Sequence, residues 1–113
     1  MKEISLNDLR KLAEGSYRLI DVRDEALASY GMLPGAVRID MEELEKEDSA
    51  VIGEIPQDKK LIFYCQIGKK TKEAGDLPAL KGREYYGLEG GYMGYLHDEL
   101  AHMEEGGEKQ KKA

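Results

Sequence analysis

The sequence contains a single cysteine in 113 residues. One thiol cannot close an internal disulfide, and it cannot build a cysteine-rich zinc site. No apolar run approaches the ~20 residues that a membrane-spanning helix needs. The stretch Met1-Lys2-Glu3-Ile4-Ser5 lacks the apolar core of a secretory signal. A cytoplasmic protein is therefore expected. Positive charge is also scarce: 17 basic residues face 23 acidic ones, a net charge of −6. Such a surface repels phosphate backbones and anionic membranes, so neither nucleic acid nor membrane is expected as a partner. No internal repeat is visible. What remains is an ordinary balance of 41% hydrophobic and 35% charged residues, in a length that suits one domain with a real core.

Strand and helix patterns alternate along the chain. Ser5 is placed to cap a helix carrying Leu6, Leu9 and Leu12, with Gly15 as its stop. Tyr17 to Val22 reads as a strand with Asp21 near its end. Asp24 to Tyr30 reads as a short helix, and Gly31 to Gly35 as a turn punctuated by glycine and proline. Ala36 to Ile39 is a short strand and Met41 to Lys46 a polar helix. After a turn at Pro56 to Lys59 comes a second strong strand, Lys60 to Tyr64. Its apolar run Leu61-Ile62-Phe63-Tyr64 suits burial on both faces. A helix is expected from about Lys70 to Leu80, weakened by Gly75 and Pro78. Arg83 to Tyr86 is a last short strand, and Tyr92 to Met103 an amphipathic helix. Residues 106–113 read as a polar, flexible tail to a domain spanning 1–105. The alternation predicts an open, mostly parallel α/β sheet. Ligands collect beyond the carboxyl ends of such strands, where both Asp21 and Cys65 fall.

The stretch Cys65-Gln66-Ile67-Gly68-Lys69-Lys70-Thr71 is the chemically informative one. A thiol is a nucleophile only as its thiolate. A loop after a strand can curl its N–H groups into an anion nest, and the positive end of the following helix can aid it. Lys69 and Lys70 add charge, Gly68 frees the backbone to turn, and Thr71 can cap the helix or donate to the anion. A lone cysteine after an apolar strand is also a common small core residue. Burial alone would predict an apolar continuation, and here the chain turns polar and basic at once. Asp21 and Arg23 are placed to touch substrate or to orient the loops, and the favoured reading is that they fix neighbouring loops by hydrogen bonds and an ion pair. His97 and His102 stand five apart, off a shared helix face, so no metal site is expected. The glycines at 87, 90, 91 and 94 read as turn formers, Tyr85, Tyr86, Tyr92 and Tyr95 as packing residues, and the acids from Glu42 to Asp48 as a solvated helix face.

Four segments in one order resemble the rhodanese family. They are Leu19-Ile20-Asp21-Val22-Arg23, Gly31-Met32-Leu33-Pro34-Gly35-Ala36, the Cys65 loop, and Leu88-Glu89-Gly90-Gly91. The resemblance implies a single rhodanese-like α/β domain, with a central, mostly parallel five-stranded sheet flanked by helices on both faces. It implies that Cys65 is the nucleophile and carries sulfur as a persulfide. The N–H groups of Gln66, Ile67, Gly68, Lys69, Lys70 and Thr71 would bind the transferred group. Sulfur would pass from thiosulfate or a polysulfide to a thiol or cyanide, with no metal or organic cofactor. Separately, nothing in the sequence demands an oligomer, so a monomer is expected.

The departures are informative. Lys70 stands where the family usually has arginine, and lysine lacks the planar fork that grips an oxyanion at two points. A different sulfur donor is one consequence. A persulfide carrier that receives sulfur from a relay protein, with little turnover on small donors, is the alternative. Met32 replaces a common histidine, and Tyr92 and Tyr95 occupy a region where tryptophan is frequent. Phosphatase and arsenate-reductase relatives of the fold need a loop one residue longer, with arginine sixth after the cysteine. Thr71 holds that position, so their chemistry is not expected. Inert interaction modules of the family tend to lose the cysteine, which this chain keeps.

Overall fold

The apolar run of Lys60–Tyr64 is divided between two cores. In the computed structural model, which describes residues 1–47 and 49–112, Leu61, Phe63 and Cys65 join one buried cluster. Ile62 and Tyr64 join another. Successive strand side chains point to opposite faces, so a continuous apolar run requires cover on both.

The elements are β1 (Glu3–Ile4), α1 (Leu6–Arg10), β2 (Tyr17–Asp21), α2 (Glu25–Ala28), β3 (Val37–Arg38), α3 (Met41–Glu45), α4 (Ser49–Gly53), β4 (Lys60–Tyr64), α5 (Lys69–Glu73), a 3-10 turn (Pro78–Leu80), β5 (Tyr85–Leu88) and α6 (Gly91–Lys112). The sheet order is β1-β5-β4-β2-β3, and every neighbouring pair is parallel. Met41 and Leu44 of α3, Val51 and Ile52 of α4, and Leu77 and Leu80 pack on the Phe63 face. Leu9 of α1 and Tyr92 and Tyr95 of α6 pack on the Tyr64 face. The chain is thus a single α/β domain with a five-stranded parallel sheet covered on both sides, as expected.

Three short helices start on the same device, a side-chain oxygen that accepts an otherwise unpaired N–H of the first turn. Ser5 Oγ accepts from Asp8 N at 3.0 Å, Asp24 Oδ1 from Leu27 N at 2.8 Å, and Asp40 Oδ1 from Glu42 N at 3.0 Å.

The structure differs from expectation at several boundaries. β1 and α4 were not anticipated. β1 has two residues on the sheet edge, registered as Glu3 with Gly87 and Ile4 with Leu88, and two residues carry no periodicity. α1 ends at Arg10, ahead of Gly15, with Lys11 N turned back to Asp8 O. α5 stops at Glu73 instead of running to Leu80. Gly75 takes φ +69°, and Pro78 opens the 3-10 turn. β5 begins at Tyr85, two residues late, because Arg83 N donates back to Leu80 O and the Arg83 side chain to Pro56 O. α6 spans Gly91–Lys112 and so runs on past Met103. Asp48 and Ala113 lie outside the described residues.

Leu61 is fully buried in the central strand, whereas Leu100 of α6 is 59% exposed. Leu61→Ala should lower stability by about 2–5 kcal/mol in urea denaturation. Leu100→Ala should change it by no more than about 0.5 kcal/mol. Equal losses at the two positions would contradict the placement of the core.

Candidate active site

β2 and β4 are paired with Asp21 opposite Tyr64, so their carboxyl ends bring Asp21, Arg23 and Cys65 to one edge of the sheet. After Tyr64 the chain leaves the sheet through Cys65 and turns at Gly68, which has φ +88° and caps α5 by its backbone alone. The outer side of this loop is fixed by α6. Tyr92 N donates to Cys65 O at 2.9 Å and Met93 N to Gln66 O at 3.0 Å. Across a trans peptide the carbonyl and the next N–H point in opposite senses. The N–H groups of Gln66 and Ile67 therefore face away from α6. Gly68 O accepts from Lys72 N and from the Thr71 hydroxyl, each at 3.2 Å, which turns the Lys69 N–H away in the same manner. None of the six N–H groups from Gln66 to Thr71 donates to a protein acceptor among the described residues.

Gly91 makes this arrangement possible. A Cβ there would sit 2.4 Å from Cys65 O and 2.8 Å from Gly68 N. A Cβ on Gly87 would meet Thr71 Cβ at 3.0 Å, beneath α5. The glycines read from the sequence as turn formers thus also serve close packing against the loop.

A buried polar network backs the loop. Asp21 is fully buried and Arg23 is 3% exposed. Arg23 Nε lies 3.1 Å from both Asp21 oxygens, its Nη2 is 2.8 Å from Oδ2, and its own N–H donates to Oδ1 at 2.8 Å. The same guanidinium reaches Gly31 O at 2.6 Å and Gln66 Oε1 at 3.0 Å. It lies over the Tyr92 ring, 4.0 Å from the centroid. Tyr64 donates to Asp21 Oδ2 at 2.9 Å and accepts from Leu33 N at 3.0 Å. Burial works against the Arg23 charge, but the hydrogen bonds and charge of Asp21 more than offset it, and its pKa is raised. Burial pushes the Tyr64 hydroxyl up, and Asp21 acts in the same direction. The structure thus joins the end of β2, the Gly31 turn, the cysteine loop and α6 through one arginine. The partnerships of Arg23 with Gln66 and Tyr92, and the Tyr64 bridge, were not read from the sequence.

A cavity of about 370 Å³ opens over the loop, lined by Arg23, Asp24, Leu27, Cys65, Gln66, Ile67, Lys69, Lys70 and Glu73. Cys65, 3% exposed, and Arg23 form its buried floor, while Leu27 and Ile67 stand on its exposed rim. The cysteine belongs at once to the apolar core and to the cavity wall. Of the sequence candidates, Gln66, Ile67, Lys69 and Lys70 line the cavity with it. Gly68 and Thr71 lie behind, and Thr71 Oγ1 is 3.8 Å from Cys65 Sγ. Asp24, Leu27 and Glu73 were missed. Asp24 reads from the sequence only as the first residue of a short helix, and nothing local places α2 beside α5. His97 and His102 line no part of this cavity.

The family model for the rhodanese-like domain matches residues 5–98. The chain belongs to the rhodanese-like domain family. A human protein named thiosulfate:glutathione sulfurtransferase is 38% identical over 85 residues, which cover 66% of this chain and 74% of that protein. A solved human single-domain sulfurtransferase is 33% identical with a TM-score of 0.70, over 86% of this chain and 96% of the other. A rhodanese-related protein from Thermoplasma volcanium superposes with a TM-score of 0.70 at 22% identity, over 87% and 93% of the two chains, and shows the shared fold. Among the described residues no helix is long and apolar enough to cross a membrane.

Tyr64 gives the rhodanese-like domain a measurable alkaline limit. An unfolded tyrosine loses its proton near pH ~10, while the folded one, raised by burial and Asp21, keeps it. Its stabilising contribution is therefore complete below that pH and declines as pH rises above it. Tyr64→Phe should cost about 1–3 kcal/mol at pH 8, since Asp21 and the Leu33 N–H each lose a buried partner. The advantage of the native protein over this variant should shrink steadily above pH ~10 in urea titrations. A constant difference would exclude the Tyr64 hydroxyl as the titrating group.

Proposed function

We propose that this domain is a sulfurtransferase that moves sulfane sulfur from thiosulfate or a polysulfide to a thiol or cyanide through a persulfide on Cys65. One observation carries the reading: the chain's single thiol forms the floor of a cavity, at the head of a loop with six N–H groups that no described protein acceptor engages. The human relative, named for thiosulfate and glutathione, supports those classes of donor and acceptor.

In the first step the Cys65 thiolate attacks the outer sulfur of thiosulfate. A bond forms between Sγ and that sulfur, the sulfur–sulfur bond of thiosulfate breaks, and sulfite departs with the electron pair. In the second step an acceptor thiolate or cyanide attacks the outer sulfur of the persulfide, and Sγ leaves as thiolate. Atoms and charge balance in both steps without a metal or organic cofactor. The N–H groups of Gln66 to Thr71 hold the anionic persulfide, as preorganised dipoles that need not reorient during reaction. Asp21 and Arg23 orient the loop. Lys69 and Lys70 supply charge at the mouth. A monomer in a reducing, cytoplasmic setting fits this cycle, because the lone thiol must stay free to be recharged.

Thiosulfate with cyanide should yield thiocyanate, and Cys65→Ser should reduce the rate to background. Intact mass spectrometry after thiosulfate or polysulfide alone should show one added sulfur atom on the native protein and none on the variant. No adduct and no product with either donor would refute the proposal. An adduct with negligible turnover would instead identify a persulfide carrier fed by a relay protein. Aryl phosphates should release no phosphate, since Thr71 and not arginine stands sixth after the cysteine.

A further inference from the structure

We propose that the side-chain amide of Gln66, held in place by Arg23, is a positioning donor that makes the site select anionic sulfur donors over neutral ones. The inference rests on the sulfurtransferase reading above. Gln66 Oε1 accepts from Arg23 Nη1 at 3.0 Å. A guanidinium carries five donors and no acceptor, so only the oxygen of the amide can face it. The NH2 group is therefore turned the other way. It has no protein acceptor among the described residues. Every buried side-chain nitrogen and oxygen among those residues has a partner, so Nε2 stands on the accessible side, and Gln66 lines the cavity over Cys65.

The main chain repeats the pattern. Gln66 O is engaged by Met93 N at 3.0 Å. Both oxygens of Gln66 are committed to the protein, while neither of its nitrogens has a protein acceptor among the described residues. The clamp itself is rigid. Arg23 is gripped by Asp21, donates to Gly31 O at 2.6 Å and lies against Tyr92. It cannot follow Gln66 into another rotamer without breaking a buried ion pair.

The consequence is chemical selectivity. Thiosulfate carries anionic sulfonate oxygens, and the departing sulfite gathers charge on the same atoms. A fixed amide NH2 beside the nucleophile can donate to them directly. The exposed Lys69 and Lys70 act as mobile point charges that solvent screens. A dialkyl trisulfide offers no such oxygens and gains nothing from the amide.

The test compares Gln66→Met and Gln66→Glu with the native chain, using thiosulfate and dimethyl trisulfide as donors and cyanide as acceptor. Methionine removes the donor. Glutamate keeps an oxygen for Arg23 and puts an acceptor-only oxygen where the NH2 stood. The ratio of kcat/KM for thiosulfate to that for the trisulfide should fall at least about tenfold in the methionine variant, the loss of one charge-assisted hydrogen bond. It should fall further with glutamate, and the loss should appear mainly in the KM for thiosulfate. Equal losses on both donors would mark Gln66 as merely structural and overturn the inference, as would an unchanged ratio. If the native chain turned over neither donor, the sulfurtransferase reading would fall and this inference with it.

Discussion

The carbonyl oxygens of Cys65 and Gln66 are engaged by the first-turn N–H groups of α6, and the character of the site follows from that engagement. A peptide unit can offer a given partner its acceptor or its donor, not both. With their oxygens given to α6, the loop peptides must show their N–H groups on the other side. The same contacts satisfy two of the N–H groups that the start of a helix leaves unpaired. They require α6 to approach closer than any side chain permits. Gly91 meets that condition, with φ +58° and no Cβ to strike Cys65 O or Gly68 N. The late glycine pair and the cysteine loop are thus two halves of one structure, although residues 72–89 lie between them.

The Asp21–Arg23 pair answers a different demand. Each of these charges loses several kcal/mol of hydration on burial, roughly, and attraction alone does not return it unless the remaining donors and acceptors are filled. Here they are filled. Asp21 takes the Arg23 main-chain N–H, two guanidinium nitrogens and the Tyr64 hydroxyl. Arg23 also donates to Gly31 O and Gln66 Oε1. The result is better described as a fixed geometry than as a gain in stability. The end of β2, the Gly31 turn and the cysteine loop are held to one planar group, and a planar fork leaves each partner little freedom.

The sequence made some of this legible and hid the rest for physical reasons. β4 was read to the residue because four buried apolar positions in a row have a strong signature, and Cys65 followed from where that strand stops. The caps of α2 and α3 were less visible, since an aspartate near a short helix reads as one more surface acid. β1 and α4 escaped because two and five residues are too short for periodicity to show. α5 was read too long because the weakening effect of Gly75 and Pro78 is graded, while a glycine at φ +69° ends a helix outright. In the site, the loop residues could be named from local pattern. The orientation of Gln66 could not, because its partner lies 43 positions earlier and only the sheet brings β2 beside β4. Positions set by chain-local sterics were readable, whereas those set by the stacking of distant strands needed coordinates.

Burial of the thiol sits uneasily with a nucleophile until the geometry of a persulfide is considered. Cys65 Sγ has core residues on one side and the cavity on the other, so only one face can be attacked. On the proposed reading a second sulfur extends the side chain by about 2 Å. That moves the transferable atom off the apolar floor and beside the loop, while the first sulfur stays packed. The incoming donor must reach a recessed atom, which a narrow anion can do. The acceptor then meets a sulfur already raised into a cavity of about 370 Å³, a volume large enough for ligands far bulkier than thiosulfate. On that reading a buried cysteine separates the two half-reactions by depth, the donor meeting a recessed thiol and the acceptor a sulfur raised into the cavity.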